Sequence, residues 1–165
     1  MKIYKDIYFT TATILNWYPL LQQDECKDVI IDSLRHCVTH QKAFVLAFVV
    51  MDTHFHVVWH IRSSYSLREV QFNFLKYTAQ KLRKLMLDSN DYVPINYLRV
   101  NKKDRMFQIW NRGTLSIEIY NERMLNQKIN YIHRNMSKKG GNDILYKYSS
   151  AYYFETGIRN WDFLA

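Results

Sequence analysis

The chain has 165 residues, 48% of them apolar, and 23 Lys and Arg against 15 Asp and Glu, for a net charge of +8. That length suits a single domain with its own core, and 4 Gly with 2 Pro argue against long flexible linkers. The longest apolar run, Ala43–Met51, is too short to cross a bilayer, so no membrane association is expected, and the positive balance favours a polyanionic partner.

In chain order, the start Met-Lys-Ile-Tyr-Lys-Asp mixes charges with aromatics, so no secretory leader is expected. Ile3–Thr13 is rich in β-branched and aromatic residues and predicts a first strand. A loop with Asn16 and Pro19 follows. Asp24 then offers an N-cap to a helix in which Val29, Ile30, Leu34 and Val38 recur at helical spacing. The two cysteines, Cys26 and Cys37, share that helix. Eleven residues of helical rise hold them about 16 Å apart, too far for a disulfide. A reduced, cytoplasmic protein is the natural expectation.

Ala43–Val50 and His54–Ile61 are two strands joined by Met51-Asp52-Thr53, which predicts an antiparallel hairpin. Ser66 caps a long helix to about Asp88, with Leu67, Val70, Phe74, Leu75, Leu82 and Leu85 toward the core. The polar stretch Asp88–Asp104 reads as a loop, with room for a short strand around Ile95–Val100. Phe107–Trp110 and Leu115–Tyr120 read as one strand interrupted at Asn111-Arg112-Gly113. Asn121–Asn135 is a further helix with Leu125, Ile129 and Ile132 inward. The segment 144–165 opens with aromatics and should pack back on the domain. The order strand, helix, hairpin, helix, strand, helix predicts an α+β sandwich: one antiparallel sheet with helices packed on one face.

Two short runs carry chemistry. In Met-Asp-Thr-His-Phe-His-Val-Val (51–58), alternation puts His54 and His56 on the same face of a strand with Cα atoms about 7 Å apart. Two imidazoles so spaced can converge on one cation at about 2.1 Å per bond. By itself the pair also fits an ordinary alternating strand. In Tyr-Ile-His-Arg-Asn (131–135), Tyr131 and Asn135 lie one helical turn apart on one face, and the Asn135 carbonyl oxygen can supply a third ligand. Periodicity alone does not choose Tyr131 from 13 tyrosines, and His133 falls on a different face, as a structural or DNA-facing residue.

The ordered set resembles the single-tyrosine transposases with a histidine–hydrophobe–histidine motif, and most of all their REP-associated branch. That branch usually reads Met-Pro-Asn-His-(apolar)-His and Tyr-Ile-His-x-Asn-Pro. Trp110 ahead of the second motif and Tyr148-Ser-Ser-Ala-Tyr152 behind it extend the likeness to nearly the whole chain. Asp52-Thr53 departs from Pro-Asn, Met136 from Pro, and Ser137-Lys-Lys-Gly-Gly from the usual Arg-Ala-Gly, which touches the turn and strand recognition but not the motif residues.

The resemblance implies a ferredoxin-like fold and a transposase acting on single-stranded, hairpin-forming DNA. In this reading Tyr131 is the nucleophile, and His54, His56 and Asn135 hold a divalent metal, Mg²⁺ or Mn²⁺. Mn²⁺ matches imidazole better; Mg²⁺ is more abundant. A phenol of pKa about 10 is a poor nucleophile at neutral pH, and a cation on the phosphate compensates. Tyrosine attack leaves a 5′-phosphotyrosine that a later 3′-hydroxyl can reverse, without ATP.

Arg134, Lys138 and Lys139 flank the tyrosine, and Arg68, Lys76, Arg99, Lys102, Lys103 and Arg105 add positive charge for the DNA backbone. The same residues also fit a solvated helix face and a flexible loop. Insertion-sequence relatives form dimers with shared sites whereas the REP-associated branch need not, so a homodimer stays open. Two rivals differ in class: a non-catalytic binder of single-stranded DNA or RNA, which needs no metal, and a metal-dependent hydrolase using activated water, which leaves no adduct.

Overall fold

The computed structural model describes residues 4–90 and 92–165. The elements are β1 (Ile7–Thr13), α1 (Asp24–Thr39), β2 (Ala43–Val50), β3 (His54–Ile61), α2 (Leu67–Asp88) and α3 (Tyr92–Leu98). They continue with β4 (Arg99–Lys102), β5 (Arg105–Phe107), β6 (Leu115–Glu118), α4 (Glu122–His133) and α5 (Ala151–Thr156). The main sheet runs β2-β3-β1-β6 with every neighbour antiparallel. With α1 and α2 as the crossovers, this is the ferredoxin-like arrangement.

Strand alternation divides the core into two layers. Phe55, Val57 and Trp59 of β3 pack with Ile30 and Leu34 of α1 and with Val70, Phe74 and Leu82 of α2. On the other face, Val58 and Phe9 pack with Ile129 and Ile132 of α4. The α+β class and the antiparallel sheet are as expected. The placing of the helices on one face is corrected: α1 and α2 cover one side and α4 the other. The physical reason is that β2 is apolar on both sides, so each face needs a cover. A bulge between Val45 and Ala47 keeps both sides filled, sending Val45 to one layer and Ala47 to the other.

Capping fixes the helix starts. The Ser66 side chain accepts from the Glu69 N–H at 3.2 Å, and the Asn121 side chain from the Met124 N–H at 2.9 Å. Gln23, not Asp24, is the N-cap of α1; Asp24 and Glu25 sit in its first turn, where negative charge favours the helix. Strand β1 begins at Ile7 because Asp6 turns the chain at φ 57°; Ile3 lies outside the described residues. Residues 88–104, expected as a loop with a strand over 95–100, instead form the end of α2, then α3 and β4. Pro94 is accommodated in the first turn of α3, where backbone donors have no partner anyway.

Phe107 belongs to β5, which pairs with β4 in a separate ribbon. Trp110 makes a single bridge to Ile14, so only Leu115–Glu118 joins the main sheet. Beyond β2, the C-terminal segment lies along the strand's free edge. The Val50 N–H donates to the Tyr148 carbonyl at 2.8 Å, and the Ala165 N–H to that of Val45 at 2.9 Å. An otherwise open sheet edge is thereby covered.

The turn from β2 to β3 is held firmly. Ile14 donates its N–H to the Thr53 carbonyl at 2.8 Å and Leu21 to that of Asp52 at 2.9 Å. The buried Lys27 ammonium pairs with the Asp52 carboxylate at 3.1 Å. The strand that starts at His54 therefore has a fixed entry point.

Candidate active site

His54 and His56 rise from β3 on the α4 side, their ring centroids 4.8 Å apart. His56 is 4% exposed. Each Nδ1 meets a threonine hydroxyl: Thr53 Oγ1 at 2.9 Å from His54, and Thr11 Oγ1 at 2.7 Å from His56. Thr11 is the cross-strand partner of His56 on β1. These bonds orient both rings and engage the same nitrogen in each, as a supporting shell does around metal-binding imidazoles. Burial pushes the His54 pKa down, and a hydrogen bond to Asn135 partly opposes it. Burial, with the charges of His54, Lys138 and Lys128, lowers His56 to about 3. Both imidazoles are therefore neutral near pH 7, the form that can ligate a cation.

Helix α4 ends over this pair. Tyr131, 44% exposed, sets its ring edge-on to His56 at 5.3 Å and to Phe9 at 5.9 Å. Lys138, just past the helix, lies over the Tyr131 ring at 4.1 Å. Asn135 is buried and closes the helix end: its Nδ2 donates to the Tyr131 and Ile132 carbonyls, each at 3.0 Å. With the nitrogen so committed, the carboxamide oxygen is the Asn135 atom left to face His54 or a cation. One chain thus brings His54, His56, Tyr131 and Asn135 together.

The described residues contain no group of three or more His, Cys, Asp or Glu side chains able to hold a metal ion. The donor set on offer is two neutral imidazoles and a carboxamide oxygen. It fits a divalent cation, with Mn²⁺ the better match, but it supplies no negative charge. Lys128, Lys138 and Lys139 add positive charge beside the histidines. The neighbourhood therefore favours an anionic group such as a phosphate alongside any cation.

No protein-family profile matches the chain, and no curated protein matches it. Among solved structures, a REP-associated tyrosine transposase bound to a REP hairpin aligns over 100% of this chain and 89% of its own, at TM-score 0.67 and 15% identity. A proposed transposase from Deinococcus radiodurans R1 aligns over 86% of this chain and 95% of its own, at TM-score 0.54 and 15% identity. The chain has the tyrosine-transposase fold.

On this tyrosine-transposase fold the basic residues singled out in the sequence separate into groups. Arg134 and Lys138, with Gln127 and Asn130, line a depression at Tyr131, and Lys139 acts on His54. Arg68 and Lys76 do not join them. Both sit on α2, across the sheet, where Lys76 lines a cavity of about 310 Å³ against α1. Lys102 and Lys103 are exposed at the tip of the β4–β5 ribbon. His133 is structural: its Nε2 bonds Ser150 Oγ at 2.8 Å, tying α4 to the C-terminal segment.

Sequence reasoning missed Thr11, Phe9 and Lys128. Phe9 stacks on His56 at 5.5 Å, and Lys128 lies over Phe9 at 4.9 Å. Lys128 was findable, because it precedes Tyr131 by three positions on α4 and shares its face. Thr11 and Phe9 depend on the register between β1 and β3, which no local pattern carries.

Proposed function

We propose that the protein is a transposase that cleaves and rejoins single-stranded DNA through a 5′-phosphotyrosine on Tyr131. The observation that carries this reading is the contact of Tyr131 with His56, beneath Lys138, on the sheet face that holds both histidines and Asn135. The Tyr131 oxygen attacks the phosphorus and gives up its proton. The bond from phosphorus to the 3′-oxygen breaks, and that oxygen leaves as a 3′-hydroxyl after taking a proton. A divalent cation, when bound by His54, His56 and Asn135, supplies charge withdrawal from the phosphate. The Lys138 ammonium favours the developing phenolate, and Arg134 is placed to hold a non-reacting phosphate oxygen. In reverse, a new 3′-hydroxyl attacks the phosphotyrosine and joins strands.

The structural relative bound to a REP hairpin makes hairpin-forming single strands the first substrate to test. The test is denaturing electrophoresis after incubation with labelled hairpin DNA and Mn²⁺, beside the same sequence as a full duplex. A protein-linked label is expected with the hairpin, in a salt-dependent manner, and little with the duplex. Cleavage without a linked label would indicate activated water instead. Binding without cleavage, indifferent to chelator, would indicate a non-catalytic binder.

A further inference from the structure

Between β1 and α1 the chain reads Ile14-Leu15-Asn16-Trp17-Tyr18, and Trp17 is 62% exposed beside the site. Its ring meets His54 edge-on at 5.8 Å. An indole offers a large apolar surface that folding ordinarily buries, and Trp59 and Trp110 in this chain are buried. Asn16 and Trp17 both adopt positive φ, 56° and 54°, a conformation asparagine tolerates but one unfavourable for a side chain as bulky as tryptophan. Strain of that kind persists where the surroundings over-determine it, and it concentrates at functional positions.

The surroundings do over-determine it. Leu15 donates its N–H to the Ile109 carbonyl at 2.7 Å, Trp17 to that of Ile14 at 3.0 Å, and Tyr18 to that of Leu15 at 3.2 Å. Tyr18 also stacks on Tyr97 of α3 at 5.0 Å, bracing the loop. The loop thus presents the indole from a fixed backbone, at the rim of a site whose lysines attract phosphate.

We infer that Trp17 is a stacking platform for one nucleobase of the single strand next to the reacting phosphate; the inference rests on the site reading given above. A phosphate over His54 and His56 brings a neighbouring base alongside the indole. Stacking on an aromatic face tolerates any base, so Trp17 contributes affinity and position rather than sequence choice. Only an unpaired base can present its face, so the contact also discriminates against duplex.

The test measures binding in Tyr131→Phe protein, where no chemistry competes. The probe is a DNA hairpin with a short thymidine flank, compared with the same hairpin carrying an abasic flank, at fixed salt. Trp17→Ala is expected to weaken binding to the thymidine flank about tenfold and to leave abasic binding unchanged. Trp17→Phe should recover most of that loss, and quenching of tryptophan fluorescence by the thymidine flank should disappear in it. Equal affinity of Trp17→Ala and its parent for the thymidine flank, or equal loss on both flanks, would overturn the proposal. The two readings fail separately. An absent adduct in unaltered protein with Trp17-dependent binding intact removes only the chemistry, and the converse removes only the stacking.

Discussion

Removing one oxygen separates the packing role of Tyr131 from its proposed chemical one. Its ring packs against His56 and Phe9 and under Lys138, contacts that a phenylalanine keeps. Tyr131→Phe is therefore expected to change stability by no more than about 0.5 kcal/mol, read as an unchanged Tm, while the DNA adduct is lost. Tyr148, at the start of the run Tyr148-Ser-Ser-Ala-Tyr152, is a poor substitute nucleophile. It is buried, its hydroxyl donates to Asp28 at 3.0 Å, and burial with that carboxylate pushes its pKa up. His133 illustrates a different residue-scale effect. Burial lowers its pKa to about 4, whereas an unfolded histidine titrates at about 6.5. The folded ring refuses a proton that the unfolded chain accepts. Its contribution to stability is complete above about pH 6.5 and is lost as pH falls toward about 4. Thermal melts from pH 8 to 4 should show Tm falling across that window, and His133→Gln should flatten part of the fall. Parallel curves for the two proteins would contradict it.

At the scale of elements, a chain of hydrogen bonds links three strands to a helix. The Trp59 indole N–H donates to Thr10 Oγ1 at 3.0 Å, Thr10 meets Ser116 Oγ at 2.8 Å, and Ser116 donates to Gln71 Oε1 of α2 at 2.7 Å. Thr10→Val keeps the shape but leaves the buried indole N–H without an acceptor. A loss of about 1–3 kcal/mol is expected in urea unfolding; an unchanged midpoint would show that the chain adds nothing. The histidine strand was legible because apolar Phe55, Val57 and Trp59 alternate with His54 and His56, a period that fixes the face of each. The tyrosine helix was legible from its Leu125, Ile129 and Ile132 stripe. The side of the sheet that α4 covers was not, because Ala43–Met51 is apolar throughout and carries no period. The polar stretch 88–104 reads as a loop with room for a strand at 95–100, and Tyr92–Leu98 instead forms α3, with β4 following at Arg99–Lys102. Trp17 gave no sequence signal beyond being aromatic, since its importance lies in a backbone turn and in distance to His54.

For the whole molecule, the charge balance of +8 and a proposed metal site without a carboxylate belong together. In the proposed reaction, two neutral imidazoles and a carboxamide would hold a cation only weakly beside three lysines, and a DNA phosphate would supply the missing negative charge. Mn²⁺ affinity, measured by isothermal titration in Tyr131→Phe protein, should rise about tenfold or more when hairpin DNA is bound. By linkage, Mn²⁺ should tighten DNA binding by the same factor. His54→Ala and His56→Ala should each abolish that coupling; affinity indifferent to DNA would contradict the shared site. The central claim, that Tyr131 is the residue joined to DNA, has a direct test in the tryptic map. Cleavage after Lys128 and Arg134 releases Ile129–Arg134, a peptide in which Tyr131 is the lone tyrosine. After reaction with hairpin DNA and nuclease trimming, mass spectrometry should find the 5′-nucleotide on that peptide. A nucleotide on a peptide carrying any other tyrosine, with Ile129–Arg134 unmodified, would contradict the assignment.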